Sequence, residues 1–351
     1  MPQIRFCKSE DGTRIAYSVL GSGPPLVWLP HWAHHLQLDA ENSVWRPWIQ
    51  MLTKSHQLIY FDWRGCGLSD RSCKEFSLTM YVADLKAVIR HARLGACTFF
   101  GMACGADVAL RYAADYPSGV NRLIVYGAKR QGIYASESSE GERQEADARL
   151  KLFELGFSTD KLGYVRFFSA MHMPQASTKE VTAFEDVLRA TTSAENAVKL
   201  IRSFWQADLS DIGDRIGCPV LVIHSKRDSI IPFEQGRRLA STLTNSRFLA
   251  VESNNHIPVQ SDAAWRVIVE NLQEFLPPGS DRAAGLALLT GREREVLELV
   301  ASGHDNGTIS GRLGISEKTV RNHLTHVFDK IGASTRAQAV AFARDAGIGG
   351  A

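Results

Sequence analysis

The residues that could perform chemistry begin with a glycine-flanked segment, residues 101–105 (GMACG). A strand-type run, 96–100, precedes it and a helix-type run, 106–114, follows it. A strand, Gly-x-x-x-Gly and a helix form the frame in which a serine at the middle position attacks a substrate carbonyl. The middle residue here is Ala103, which has no hydroxyl and cannot be acylated.

Cys104 is the nearest alternative nucleophile in this segment. A helix N-terminus lowers the pKa of a thiol and so favours the reactive thiolate. Cys104 lies one residue too late, however, and we expect its side chain to point away from the tip of the turn. The sequence therefore predicts a nucleophile frame that has lost its nucleophile.

An acid and a histidine follow in the order that a hydrolytic triad requires. Asp228 comes shortly after a strand-type run, 219–224, and His256 comes directly after the next one, 248–251. Both lie beyond the carboxyl ends of strands, where an open α/β sheet forms its site.

Three interpretations of this incomplete triad are open. Asp228 and His256 could be an inherited polar pair that also contacts a ligand. His256, oriented by Asp228, could act as a general base in a reaction that needs no nucleophile. Ala103 could also be an engineered replacement of serine, made to trap a ligand.

Three histidines, His31, His34 and His35, lie near Trp32 in one predicted loop. A metal site would need a further carboxylate or cysteine at a recognisable spacing, and none is present. We therefore predict that these side chains line a pocket or give a polar surface. We predict no metal and no cofactor.

The elements that must position these residues alternate between buried strands and helices. Continuous apolar runs at 26–29 and 58–61 are typical of strands buried on both faces, and a hairpin pattern around Asp11-Gly12 precedes them. Helical patterns follow both runs. This alternation predicts a mostly parallel α/β sheet.

The chain of 351 residues is long enough for two domains. We predict a first domain over 1–277, with a helical, aromatic-rich cap at about 131–210, a linker over 278–287, and a second domain over 288–351. The net charge of +2 argues against a protein that coats nucleic acid but allows one compact DNA-reading domain. Trp45, Trp48 and Trp63 could line a cavity or fill the core.

Six cysteines without metal-type spacing indicate reduced thiols. The N-terminal residues carry charges where a secretory signal would be apolar, and no apolar run is long enough to span a bilayer. These features predict a cytoplasmic protein that does not enter a membrane.

Residues 4–276 resemble the α/β-hydrolase family. Residues 62–69 (DWRGCGLS) look like the family's D-x-R-G-x-G-x-S segment, and Pro30-His31 stands where the family has His-Gly. The resemblance implies that the backbone N–H groups of Trp32 and Cys104 form the oxyanion site. Those donors could bind a carbonyl or carboxylate oxygen without chemistry. We therefore expect His31, Trp32, Ala103, Cys104 and His256 to contact a ligand.

The segment from Leu289 onward has the pattern of a small helical domain. Thr290 and Glu293 form a capping box, and the predicted helices include 306–313 and 317–331. Within the latter, Val320, Leu324 and two further apolar residues form one buried stripe. Its other face is cationic and amide-rich, which suits a helix in the major groove, although a solvated helix in a bundle would look similar.

Residues 289–347 closely resemble the LuxR-type helix-turn-helix. The matching residues are 289–293, Asn306, Ile309, Leu313, 315–320, 322–323, 330–331 and 336–337. The resemblance implies binding of double-stranded DNA, for which the candidate residues are Ser316, Lys318, Thr319, Arg321, Asn322, His323 and Lys330. It also implies a homodimer formed through the fourth helix, with Ala337, Ala339, Val340, Ala341 and Ala343.

Together these patterns predict a transcription regulator with a catalytically silent hydrolase-like domain that binds a small, partly hydrophobic effector. Two alternatives belong to other classes. One is an active serine hydrolase of esters, amides or lactones with a DNA-binding tail, seen here as its alanine variant. The other is a protein with His256-dependent chemistry that needs no nucleophile.

Overall fold

The computed structural model describes residues 3–158, 162–276, 286, 288–331, 333 and 335–348. The chain divides into two compact units, the first of which ends at Leu276. Each unit has a hydrophobic core of its own. No helix within the described ranges is long and apolar enough to cross a membrane.

An eight-stranded sheet forms the centre of the first unit, with strand order β1-β2-β4-β3-β5-β6-β7-β8. Strand β2 pairs antiparallel with both β1 and β4. All other neighbouring pairs, from β4–β3 to β7–β8, are parallel. The strands are β1 (Ile4–Lys8), β2 (Arg14–Leu20), β3 (Pro25–Leu29), β4 (Gln57–Phe61), β5 (Cys97–Met102), β6 (Val120–Tyr126), β7 (Val220–Ser225) and β8 (Ser246–Val251). The predicted mostly parallel sheet is therefore confirmed.

Helices separate the parallel strands, as the alternating pattern predicted. In the first unit they are α1 (Arg46–Leu52), α2 (Leu78–His91), α3 (Cys104–Asp115), α4 (Glu140–Ser158), α5 (Leu162–His172), α6 (Thr178–Thr191), α7 (Ala194–Trp205), α8 (Phe233–Thr242) and α9 (Trp265–Phe275). Strands β5 and β7 are buried along their whole length, because helices and loops cover both faces of the central sheet.

Four consecutive helices, α4 to α7, lie between β6 and β7 and occupy most of the interval predicted as a cap. A bridge between Gln131 and Asp208 joins the two ends of this interval. The backbone N–H of Leu209 also donates to the carbonyl of Arg130. The chain therefore leaves the sheet and returns to it at one place, and the helices between form one continuous insertion.

The turn between β5 and α3 has an unusual backbone. Ala103 has φ 53° and ψ −121°, a region that residues with a Cβ rarely adopt. A Cβ at Gly101 would lie 2.6 Å from the Cα of Ala106, and a Cβ at Gly105 would lie 2.0 Å from the carbonyl oxygen of Leu29. Glycine is required at both positions because strand, turn and helix approach so closely.

The second unit is a bundle of short helices, α10 (Gly291–Ala301), α11 (Asn306–Leu313), α12 (Glu317–Ile331) and α13 (Arg336–Asp345). Thr290 and Glu293 form the predicted capping box, and Gly314 takes the left-handed conformation that ends α11. Val320, Leu324 and the rest of the predicted stripe on α12 are buried. The predicted helical domain is confirmed.

The close approach at Gly105 generates a stability prediction. An exposed Gly→Ala change inside a helix normally stabilises a protein by about 0.5–1 kcal/mol. We expect Gly105→Ala instead to lower the free energy of unfolding by about 1–3 kcal/mol, because its Cβ would overlap the Leu29 carbonyl. Urea unfolding measures the difference. Gly141→Ala is the matched control, since Gly141 lies exposed in α4 and a Cβ there meets nothing within 4 Å. An equal response of the two variants would contradict the clash.

Candidate functional site

Ala103 lies at the tip of the turn between β5 and α3 and faces a cavity. Its backbone N–H donates to the carbonyl of Tyr126 at 2.8 Å, which ties the turn to the end of β6. The side chain ends at Cβ. The structure therefore holds the backbone of a nucleophile turn in place with no reactive group on it.

Asp228 and His256 meet beside this turn. The His256 Nδ1 lies 2.7 Å from Asp228 Oδ2, while Oδ1 of the same carboxylate accepts the N–H groups of Ile230 and Ile231 at 2.8 and 2.9 Å. Burial alone would raise the pKa of Asp228, but the His256 ring and these hydrogen bonds outweigh it and hold the pKa below its usual value. The carboxylate is thus charged and orients the ring, as in a complete triad.

His172, at the end of α5, holds the His256 loop from the side of the cap. Its carbonyl accepts the backbone N–H groups of His256 and Ile257 at 2.8 and 3.1 Å. Its own ring is buried, with Nδ1 2.9 Å from the carbonyl of Phe168. Burial, aided by the nearby His256 ring, lowers the pKa of His172 to about 3, so this imidazole is neutral. Sequence reasoning missed His172, because only the fold brings α5 to β8.

Of the three loop histidines, only His31 lines the cavity. Burial lowers the pKa of its ring, which lies 5.3 Å from the ring of Trp32. His34 instead joins a separate buried network, 3.0 Å from both Asp39 and the carbonyl of Phe61. His35 is also buried rather than part of a polar surface. The described residues contain no cluster of three or more side chains placed to hold a metal ion.

Cys104 lines the same cavity as Ala103. Burial raises the pKa of its thiol to about 12, although the Trp32 backbone N–H lies against the sulfur and acts in the opposite direction. Loss of solvation here outweighs the lowering of the pKa that a helix N-terminus gives a thiol, the effect that would have favoured Cys104 as a nucleophile. Cys104 is a neutral thiol and a poor nucleophile.

Lys129 and Asp107 form a buried ion pair at the cavity wall that the sequence did not reveal. Burial raises the pKa of Asp107, and the Lys129 ammonium opposes that rise. Lys129 follows β6 by three residues and so lies at the carboxyl edge of the sheet. That position was the one available signal, since a charged residue beyond a buried strand is a site candidate.

The cavity has a volume of about 400 Å³, within the range of small-molecule pockets. It places together the five predicted ligand contacts, His31, Trp32, Ala103, Cys104 and His256. The rest of its wall is largely apolar, with Leu150, Phe153, Phe167, Phe168, Met171, Ile201, Phe204 and Trp205 from the cap. Trp45, Trp48 and Trp63 are completely buried and fill the core instead.

The candidate DNA-binding residues gather on the start of α12. Lys318, Arg321 and Asn322 are exposed. The Arg321 guanidinium is held only loosely, 3.8 Å from the Glu317 carboxylate. Ser316 caps the helix by accepting the Thr319 N–H at 3.1 Å. Lys318, Arg321 and Asn322 are therefore free to reach a groove, whereas the Ser316 hydroxyl is already engaged.

Lys330 does not belong with this exposed group. Its ammonium lies 2.9 and 2.7 Å from the two carboxylate oxygens of Glu293. Glu293 is also the capping-box partner of Thr290. The DNA contact of Lys330 stays a prediction, for a residue whose ammonium already has a partner inside the domain.

The predicted dimer face on α13 also needs correction. Ala339 and Ala343 are fully buried in the core of their own domain, and Val340 packs against it. Ala337 and Ala341 are exposed. A partner could therefore contact Ala337, Ala341 and the exposed part of Val340 directly, but not Ala339 or Ala343.

Comparisons with known proteins agree with the two units. Residues 24–262 match the sequence model described as "alpha/beta hydrolase fold", and residues 287–343 match that of the luxR family of bacterial regulatory proteins. The chain is 24% identical over 260 residues to RutD of Escherichia coli (strain UTI89), named as a carbamate hydrolase, covering 72% of this chain and 90% of RutD. It is 24% identical over 316 residues to the uncharacterised protein Rv2715 of Mycobacterium tuberculosis, covering 82% and 86% of the two chains.

Solved structures share the fold of the first unit. A bromoperoxidase from Bacillus anthracis superposes with a TM-score of 0.65 at 21% identity, covering 78% of this chain and 99% of that one. An esterase from Exiguobacterium antarcticum gives 0.63 at 22% identity, with coverage of 77% and 98%. These identities establish the fold alone.

The Glu293–Lys330 pair generates a pH prediction. The Lys330 ammonium and the Thr290 cap lower the pKa of Glu293 to about 2. A carboxyl whose pKa falls on folding stabilises the folded state above its unfolded pKa, about 4.3, and loses that contribution as pH falls towards 2. We expect Glu293→Gln to cost about 1–2 kcal/mol at neutral pH, and the cost to shrink in acid.

Urea unfolding of the second unit within the full chain, followed at neutral and acidic pH, tests this contribution. Glu298→Gln is the matched control, because Glu298 lies exposed on the same helix. A cost for Glu293→Gln that does not change with pH would show that the carboxylate charge contributes nothing.

Proposed function

Because the chain belongs to the alpha/beta hydrolase fold family, we propose that its first unit has become a receptor that binds a small-molecule effector without hydrolysing it. The second unit carries the LuxR-type helix-turn-helix of a DNA-binding transcription regulator. One observation carries the proposal. His256, paired with Asp228, faces a well-formed cavity, but Ala103 stands at the nucleophile position.

Hydrolysis through an acyl-enzyme needs a nucleophile at the turn, and neither candidate supplies one. Ala103 has no hydroxyl. Cys104 is neutral because burial raises its thiol pKa to about 12. The cavity therefore keeps the binding half of a hydrolase site and lacks the group that forms the covalent bond.

The wall of the cavity supports a partly hydrophobic effector. Aromatic and aliphatic residues make up most of the wall, and polar groups meet at Ala103 and His256. Further polar residues of the cap, among them Glu142, Glu145 and Arg149, also line it. Such a distribution orients an apolar molecule by a few polar atoms. The effector thus carries an oxygen at one end and an apolar body.

The regulatory step proposed here is a shift between two states of a homodimer in the cytoplasm. An effector moves such an equilibrium only by binding one state more tightly, typically by about 1–3 kcal/mol. Two recognition helices of a dimer would contact DNA about one helical turn, ~34 Å, apart.

Two specific observations favour other functions. The intact 2.7 Å contact between His256 and Asp228, together with relatives named as hydrolases, fits an active serine hydrolase seen as its alanine variant. The position of His256 in the cavity wall fits general-base chemistry without a nucleophile.

Restoring the hydroxyl tests whether the site is silent only for lack of a nucleophile. We expect Ala103→Ser to react with a fluorophosphonate in a ratio of one probe per chain, because Asp228 still orients His256. The unchanged protein should remain unlabelled. Intact mass spectrometry measures both.

The control is the double variant Ala103→Ser with Asp228→Asn, which should label far more slowly because the ring loses its orienting carboxylate. Labelling of the unchanged protein would contradict catalytic silence. Turnover of an ester by the unchanged protein, abolished by His256→Gln, would favour the general-base alternative.

DNA binding by α12 generates a separate prediction. We expect Arg321→Ala to weaken binding of the full chain to a duplex obtained by in vitro selection by about 1–3 kcal/mol at fixed salt. Arg266→Ala, which removes the same charge from an exposed site in the first unit, should leave the affinity nearly unchanged. Fluorescence anisotropy gives both affinities, and equal losses would contradict docking through α12.

A further inference from the structure

We infer that the effector is a carboxylic acid. One oxygen of its carboxylate accepts from the backbone N–H groups of Trp32 and Cys104, and the other contacts the Nε2 of His256. This inference rests on the proposed receptor function and names the chemical class of its ligand. It follows from the hydrogen-bonding capacity that remains at the turn once the serine hydroxyl is missing.

The His256 ring has one nitrogen fixed and one nitrogen open. Because Asp228 is a charged acceptor, the Nδ1 of His256 donates to it at 2.7 Å. The side chain is only 3% exposed, and no described residue makes a hydrogen bond to its Nε2. In a serine hydrolase this nitrogen meets the nucleophile hydroxyl. Here the Ala103 methyl leaves that contact to the ligand.

A carboxylate fits both protonation states of this nitrogen. A protonated acid donates to the neutral ring, and a carboxylate accepts from the charged ring, so one proton is shared in either description. An ester oxygen at this place can only accept and carries a bulky substituent. A primary amide can donate but forms no charge-assisted hydrogen bond, which is about twice as strong as a neutral one.

The neighbouring groups are donors, as an anion requires. The Cys104 backbone N–H belongs to the first turn of α3, where the helix dipole favours negative charge. The Trp32 N–H lies against the Cys104 sulfur, a weak acceptor that an anionic oxygen can replace. His31 accepts the Ala33 N–H on its Nδ1 at 3.2 Å, which leaves the proton of this neutral ring on Nε2 as a further donor.

The charged groups around His256 are paired with one another, which leaves the His256 ring to bind the carboxylate. Asp228 balances a charged His256 ring, and Lys129 balances Asp107. The titratable groups that surround His256 are Asp228, His224, His172, His31, Asp107 and Lys129. His172 stays neutral and His31 is held neutral by burial. Arg149, a further cation that lines the cavity, pairs with Glu145. His256 therefore remains the group that binds the carboxylate.

The apolar body of the acid would lie against the aromatic wall of the cap. Trp32, Phe153 and Phe168 form a continuous group of rings, with centroids 4.4–6.4 Å apart. Because the Nδ1 of the neutral His172 ring donates to the Phe168 carbonyl, its Nε2 is an acceptor, and this nitrogen has no hydrogen-bond partner within the described chain. It would accept a hydroxyl or N–H from the body of the ligand.

The test uses three probes that share one body: 4-phenylbutanoic acid, 4-phenylbutanamide and methyl 4-phenylbutanoate. Isothermal titration calorimetry of the full chain near neutral pH gives the three affinities. We expect the acid to bind at least about tenfold more tightly than either neutral probe.

Two variants separate the carboxylate contact from general packing. Ala103→Ser should weaken acid binding by about fivefold or more, because its Oγ occupies the place of the second carboxylate oxygen. His256→Gln should remove the preference for the acid over the amide. His326→Gln, at an exposed position of the second unit, should leave that preference unchanged.

The outcomes distinguish this inference from the proposed function. Equal or tighter binding of the amide or ester, or no binding of the acid at about 10 mM, would overturn the carboxylic-acid assignment. Binding of only the neutral probes would do so while leaving the receptor function intact. Hydrolysis of the methyl ester by the unchanged protein would overturn the receptor function itself.

Discussion

The left-handed backbone of Ala103 is the constraint on which the first unit depends. A residue with a Cβ in this region costs on the order of 1–3 kcal/mol and persists only where its surroundings enforce it. Here the buried strand β5 delivers the chain to the turn, and glycines at 101 and 105 let α3 lie directly against the strands. The same geometry brings the first amide of α3 to the cavity that His256 lines. The receptor and hydrolase interpretations both require it.

Much of this arrangement could be predicted from sequence because local rules fix it. Buried apolar runs fixed the strands, glycine spacing fixed the turn, and side-chain caps fixed the helices of the second unit. The predicted helices at 306–313 and 317–331 are observed with those limits. Asp305 and Ser316 supply their N-terminal caps. Asp228 and His256 could be paired because chain order and strand ends restrict where they lie.

The remaining features depend on contacts between residues far apart in the chain. The Lys129–Asp107 and Lys330–Glu293 pairs join elements that only the fold brings together, so no spacing rule reveals them. The protonation state of Cys104 could not be predicted for another reason. The helix dipole is visible in the sequence, whereas the burial that overrides it is a property of the packed cavity. Ala339 likewise looks like an interface residue until the domain core encloses it.

A single carbonyl, that of His172, accepts two backbone N–H groups from the His256 loop. These two hydrogen bonds join the cap directly to the polar end of the cavity. Cap helix α5 cannot swing outward to admit a molecule without pulling on the strand-end loop that carries the imidazole. A movement of α5 would therefore displace the His256 ring and the aromatic wall of the cap together.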